Sequence, residues 1–170
     1  MEIKNQLENS LNNSLPKNIF DKIVDFLNTE NVSYRVIEHE VVRSSQEEAE
    51  KTGTNLSQGA KTLIMFGDGH PLMVVLSSID KIEFKKLKKA LSIKDLVMAT
   101  PDQVKEIVGV EVGAVPPFGN LLNLPLYVDN HLAKEKEIIF GTGLFTKSIM
   151  MRYCDFEKVA KPMVGDYIVK

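Results

Sequence analysis

The sequence predicts an α+β fold: a single domain built on a mixed sheet or barrel with helices interspersed. Three observations lead there. Seven or so extended apolar segments are present, they do not alternate strictly with helical patterns, and no internal repeat appears, which together argue against a doubly wound parallel sheet. A chain of 170 residues fits one domain with at most a short tail.

The elements follow in order. Residues 1–16, rich in Asn, Ser and Leu and ending at Pro16, read as a tail or peripheral helix, which leaves 17–170 as the domain. Ile19, Phe20, Ile23, Val24, Phe26 and Leu27 recur at helical spacing, so 19–27 is an amphipathic helix, closed by Asn31. Tyr34 to His39 reads as a short strand. Ser45 stands three residues before Glu48, the spacing of a capping box, and starts a helix that ends at Gly53. Leu63 to Phe66 and Leu72 to Leu76 flank Gly67-Asp68-Gly69, a hairpin signal. Glu83 to Leu91 is a helix with Phe84, Leu87 and Leu91 inward and lysines outward. Leu96 to Ala99 is a strand, after which Thr100 caps and Pro101 opens a helix running to Val108 and stopped by Gly109. Further extended segments are 111–115, 126–129, 137–140 and 148–153, followed by a short helix near 155–160.

The 44% hydrophobic and 26% charged composition is that of an ordinary globular chain, and a net charge of −2 exerts no global attraction on nucleic acid or membrane. Any polyanion site must be local. The single cysteine, Cys154, excludes an internal disulfide framework and a multi-cysteine zinc site; within Ile-Met-Met-Arg-Tyr-Cys-Asp it reads as a small buried strand residue. The polar start and the lack of any apolar run of membrane-spanning length predict a cytoplasmic protein without a membrane or DNA partner.

Chemistry concentrates in two places. Lys61 opens an apolar strand, where an ammonium needs either a partner such as a phosphate or a strand-edge position with its head in solvent. Gly113-Ala-Val-Pro-Pro-Phe-Gly119 combines stiff prolines with permissive glycines, so it is either a tight turn or a loop whose amides face a developing oxyanion. Gly141-Thr142-Gly143 reads as a hairpin turn or a pocket wall, and lacks the strand-to-helix setting of a dinucleotide fingerprint. The 81–94 stretch carries six lysines against Glu83, a local +5 that suits either a solvated helix face or an RNA backbone. His39, His70 and His131 have no companions at metal-ligand spacing, so no metal or other cofactor is expected. Ser44 and Ser45 lack a Gly-x-Ser-x-Gly setting, which argues against a hydrolase triad.

In order and spacing, Glu38-His39, Ser44-Ser45-Gln-Glu-Glu-Ala49, Gly59-Ala-Lys61-Thr-Leu, Leu76-Ser-Ser-Ile-Asp80, Gly109-Val-Glu-Val-Gly113-Ala-Val-Pro-Pro117-Phe-Gly119, Tyr127-Val-Asp129 and Gly141-Thr-Gly143 resemble the YbaK/prolyl-tRNA synthetase-associated domain family over about residues 20–160. The resemblance implies a strongly curved, barrel-like mixed sheet and hydrolysis of mischarged aminoacyl-tRNA in trans. It implies a phosphate-side role for Lys61 and backbone amides from Gly113, Ala114 and Val115 toward the aminoacyl carbonyl. His39, Ser44 or Ser45, Pro117, Phe118, Gly141, Thr142 and Gly143 become candidate substrate contacts, and Lys85, Lys86, Lys88 and Lys89 candidate tRNA contacts. The chain departs from the family in offering serine where threonine is common, and Phe140-Gly-Thr-Gly143 in place of the Phe-His-Pro segment of the alanine-specific branch. The expected partner is aminoacyl-tRNA, with an aminoacyl-tRNA synthetase as a second. The alternative function is a non-catalytic module that binds charged tRNA ends or a synthetase.

Overall fold

The computed structural model describes residues 17–170; the tail or peripheral helix expected for 1–16 lies outside the described residues. Helix α1 (Ile19–Thr29) starts where Asn18 accepts the Asp21 amide at 2.9 Å, and buries Ile23 and Leu27. Strand β1 (Tyr34–Glu38) leads to helix α2 (Ser45–Thr52), then to β2 (Ala60–Gly67) and β3 (His70–Ser77). The last two form the expected hairpin, paired from Ala60 with Ser77 to Gly67 with His70. Its two central residues, Asp68 and Gly69, have φ of 47° and 82°, the left-handed pair required by a tight turn that matches strand twist.

Helix α3 (Phe84–Leu91), strand β4 (Leu96–Met98) and helix α4 (Pro101–Val108) come next, α4 with the anticipated Thr100 and Gln103 capping box and Gly109 at its end. A short helix α5 (Gly119–Leu122), strands β5 (Leu126–Asp129), β6 (Glu137–Gly141) and β7 (Lys147–Arg152), helix α6 (Tyr153–Ala160) and strand β8 (Met163–Gly165) complete the chain.

The strands form two open sheets rather than one closed, strongly curved sheet. One is antiparallel in the order β1-β7-β6; the other is mixed, β4-β2-β3-β5-β8, with β3, β5 and β8 parallel. A lone bridge between Gly59 and Ile139 links them, so no continuous ladder runs around a barrel. Side-chain alternation along β2 and β3 serves two cores: Ala60, Ile64, Met73 and Val75 face the larger one with α1, α4, α6 and the three-stranded sheet, whereas Met65, Leu72, Val74 and Leu76 face α3, Tyr167 and Ile168.

Two local expectations are corrected. Residues 111–115 are not a strand: Gly113 has φ of 91° and the Ala114 amide turns back to the Glu111 carbonyl at 3.1 Å, which breaks extended pairing. Cys154 is neither buried nor in a strand. The chain turns into α6 at Tyr153, whose face of Tyr153, Phe156, Val159 and Ala160 is buried, so Cys154 lies on the exposed side. Among the described residues, no helix is long and apolar enough to cross a membrane.

Candidate active site

The start of β2, the 112–115 loop, the N-terminal turn of α2, Gly141 at the end of β6 and the start of β7 converge on one cavity of about 250 Å³. Lys61, Gly113, Ala114 and Val115 all line it, so the cation and the rigid loop meet across one cleft. His39, Ser44, Ser45 and Gly141 line it as well.

Lys61 is half-buried, and its Nζ donates to the backbone carbonyl of Asp80 at 2.6 Å. Burial pulls its pKa below the ordinary lysine value; the Asp80 charge opposes that shift and the Lys81 charge adds to it. The segment before Asp80 fixes the start of β2: Ser77 Oγ donates to the Ser57 carbonyl at 2.7 Å, and the Ser78 amide donates to the Gly59 carbonyl at 2.8 Å. Asp80 itself is held by His131, whose Nδ1 lies 2.7 Å from its carboxylate.

The opposite wall is stiffened in three ways. Pro116 and Pro117 are buried, the Ala114 carbonyl accepts the Gly143 amide at 2.7 Å, and Gly141 packs so closely that a Cβ there would lie 3.3 Å from the Ala114 backbone. The Ala114 amide is already engaged by Glu111. Among the described residues, the Gly113 and Val115 amides have no protein acceptor and are the ones free to meet a ligand.

Several sequence candidates sit elsewhere. Phe118 is fully buried, edge-on to Phe26, Phe140 and Phe156 with ring centroids 5.3 to 5.9 Å apart; it and Pro117 anchor the loop in the core and do not line the cavity. Thr142 is buried, its Oγ1 donating to the Lys147 carbonyl at 2.8 Å, and Gly143 supports the loop through its amide, so both brace the wall from behind. Ser44, not Ser45, caps α2, accepting the Glu47 amide at 3.2 Å. Lys85, Lys86, Lys88 and Lys89 lie on α3, outside the cavity lining; Lys86 is tied to Asp166 at 2.9 Å and to the Ile168 carbonyl at 2.7 Å.

The structure adds residues that sequence reasoning passed over. Among the described residues, Arg43 and Lys147 join Lys61 as lining cations, against a single lining carboxylate, Glu48. Burial raises the Glu48 pKa above the ordinary carboxylate value, partly offset by hydrogen bonding from Ser148 and by the charge of His39. Thr62 Oγ1, also on this wall, is buried without a hydrogen-bond partner among the described residues. A serine opening an otherwise apolar strand, Ser148, was the one sequence signal for this group. A cationic cavity with free backbone amides can hold a phosphate at one end and polarise a carbonyl at the other.

Comparison with known proteins identifies the fold and the family. A crystal structure of the hypothetical protein APE2540 superposes with a TM-score of 0.81 at 23% identity, covering 87% of this chain and 99% of that one. A candidate trans-editing enzyme for prolyl tRNA synthetase superposes with a TM-score of 0.80 at 22% identity, covering 92% and 100%. At these identities the likeness concerns the fold. The Escherichia coli K12 multifunctional Ser/Thr-tRNA deacylase ProXp-y is 30% identical over 151 residues, 86% of this chain and 90% of its own. The proline–tRNA ligase of Acidithiobacillus ferrooxidans is 29% identical over 89 residues, 52% of this chain and 16% of the ligase. The sequence model for the aminoacyl-tRNA editing domain matches residues 39–159, which include every lining residue of the cavity. The chain therefore belongs to the aminoacyl-tRNA editing domain family, the family of aminoacyl-tRNA deacylases.

Proposed function

We propose that this protein is a trans-acting editing enzyme that hydrolyses the ester between a small amino acid and the terminal adenosine of a mischarged tRNA. The observation that carries the reading is the shared cavity of Lys61 and the Gly113 to Val115 loop. Lys61 holds the phosphate of the terminal adenosine, and the amides of Gly113 and Val115 receive the carbonyl oxygen as it gains negative charge. Donors fixed in advance stabilise that charge without reorganisation, so an activated ester needs no side-chain nucleophile. The lining cations Arg43 and Lys147 favour the approach of a polyanion's end, and the exposed lysines of α3 extend that field.

The relative named a Ser/Thr-tRNA deacylase makes seryl- and threonyl-tRNA the first substrates to test. A hydroxylated side chain suits a wall that carries Ser45 and the unpartnered Thr62 hydroxyl, because a buried polar group left unpaired is costly and a substrate hydroxyl would satisfy it. Incubation with tRNAs charged with serine, threonine, alanine, cysteine and proline tests the proposal: release of one of these amino acids with turnover is expected. Retention of every ester at stoichiometric protein overturns it, and tight binding without ester loss would instead assign a non-catalytic module.

A further inference from the structure

The cavity wall holds a hydrogen-bonded chain that the oxyanion chemistry leaves unused. Ser148, almost fully buried on β7, donates to Oε1 of Glu48 on α2 and also lies 2.8 Å from Nε2 of His39, just beyond β1. His39 Nδ1 is 2.7 Å from the Glu40 backbone carbonyl. A carbonyl only accepts, so Nδ1 carries a proton and Nε2 of a neutral ring is an acceptor. Ser148 owns one hydroxyl proton and stands between two groups that would both need it if Glu48 were ionised and His39 neutral. Both contacts are satisfied together only when one further proton resides in the chain, on Glu48 or on His39 Nε2. The two placements interconvert when the carboxyl proton of Glu48 passes to Ser148 Oγ as the serine's own proton passes to His39 Nε2.

We infer that Glu48, Ser148 and His39 form a proton-sharing triad, and that Glu48 is the group that takes a proton from the water attacking the aminoacyl ester. The inference rests on the deacylase reading for its reaction, though not for its proton count. In the attacking step, the water oxygen bonds to the ester carbon, the carbonyl electron pair moves onto the oxygen facing Gly113 and Val115, and one water proton passes to Glu48. On collapse the bond to the ribose oxygen breaks, the triad returns its proton to that leaving oxygen, and amino acid and tRNA depart. Ser148 holds Oε1 of Glu48 in place, which leaves Oε2 to receive the proton.

The surroundings agree. Oε2 of Glu48 has no hydrogen-bond partner among the described residues, and Glu48 lines the cavity. The other ionisable lining groups are Arg43, beside Glu111 at 4.0 Å, Lys61 on β2, and Lys147, 3.6 Å from Glu38. Glu47 on the same helix faces away and accepts the Arg43 amide at 2.9 Å, while Lys51 is paired with Glu40 at 2.8 Å. Burial raises the pKa of Glu48, the direction that suits a group accepting a proton from water.

Single-turnover deacylation of the tRNA that the wild type hydrolyses, followed from about pH 5 to about pH 9, tests the role. The wild-type rate is expected to rise with pH. Glu48→Gln, which keeps the shape, should lose about 100-fold or more in rate with charged-tRNA affinity within about two-fold. Ser148→Ala should move the rising limb to higher pH, since it removes the donor that favours the carboxylate. Glu48→Gln with a wild-type rate, or with affinity lost in parallel with rate, overturns the base role; the latter would make Glu48 a contact to the substrate ammonium. Should the wild type hydrolyse none of the charged tRNAs, the deacylase reading fails separately. The triad is then read by the carboxyl ¹³C shift of Glu48, whose midpoint should lie above the ordinary carboxylate value and rise further in Ser148→Ala. An ordinary midpoint, or one indifferent to Ser148, overturns the triad.

Discussion

Lys61 Nζ lies 2.6 Å from the backbone carbonyl of Asp80, so the ammonium presented to the cavity is held by an uncharged acceptor rather than by a carboxylate. The carboxylate of Asp80 is turned instead to His131. A cation stabilised this weakly keeps its attraction for an incoming phosphate, at a cost in folding stability.

That cost is measurable. Lys61→Met should abolish turnover of the charged tRNA while leaving the melting temperature unchanged or higher at neutral pH, because it removes a half-buried charge and keeps the stem. The sign follows from the direction of the shift: with the folded pKa below the unfolded one, the penalty is present at neutral pH and is relieved as pH rises through the depressed value toward that of an ordinary lysine. The stability gain of the variant should therefore shrink in alkaline buffer. Calorimetry on both proteins checks it, and a variant that melts lower at neutral pH would contradict it.

Gly141→Ala addresses the loop. The added methyl would sit 3.3 Å from the carbon and oxygen of Ala114, and backbone can give only by moving the loop a few tenths of an ångström. Since small misplacements of positioning groups cost large factors in rate, kcat/KM should fall by about ten-fold with a stability loss below about 1 kcal/mol. A matched loss of stability and activity would instead mean general disruption of the sheet.

The two adjacent serines should separate cleanly. Ser44→Ala removes the side chain that caps α2 and is expected to cost about 1 kcal/mol, whereas Ser45→Ala, inside the helix and on the cavity wall, should leave stability within about 0.5 kcal/mol. Chemical denaturation of both variants gives the comparison, and a stability loss in Ser45→Ala as large as that in Ser44→Ala would contradict it.

Much of this fold was legible from local chemistry. Asp68-Gly69 between apolar runs set the hairpin, and Thr100-Pro101 with Gly109 set both ends of α4. Where local signals competed, tertiary context decided. Tyr153-Cys-Asp continues an apolar strand in sequence, yet Tyr153, Phe156 and Val159 fit a helical face against the core, and that burial ended the strand at Arg152. The capping serine was displaced by one residue because Glu47, not Glu48, turns back along the backbone, to the Arg43 amide. That leaves Glu48 free for the cavity. Lys61 and the Gly113 loop could be paired in advance because each is chemically unusual where it stands. The chain of Glu48, Ser148 and His39 could not, since each residue has an ordinary local explanation and Ser148 lies 100 residues from Glu48 and 109 from His39.

Asp129, one of the residues on which the resemblance to the family rests, owes its place to architecture. It is fully buried at the end of β5, where Oδ1 accepts the His131 amide and Oδ2 accepts the Tyr167 amide, each at 2.7 Å. One carboxylate thus fixes the turn that presents His131 to Asp80 and pins the C-terminal segment over the second core, so it acts on Lys61 through two intermediaries. Asp129→Ala leaves the buried Tyr167 amide and the partly buried His131 amide unpaired and should cost about 2 to 4 kcal/mol, with Lys61 chemistry impaired in the fraction that folds. Asp129→Asn keeps one acceptor oxygen and should lose less. Equal and small losses in both variants, by urea denaturation, would show that the two amides find water instead and that the carboxylate is dispensable to the scaffold.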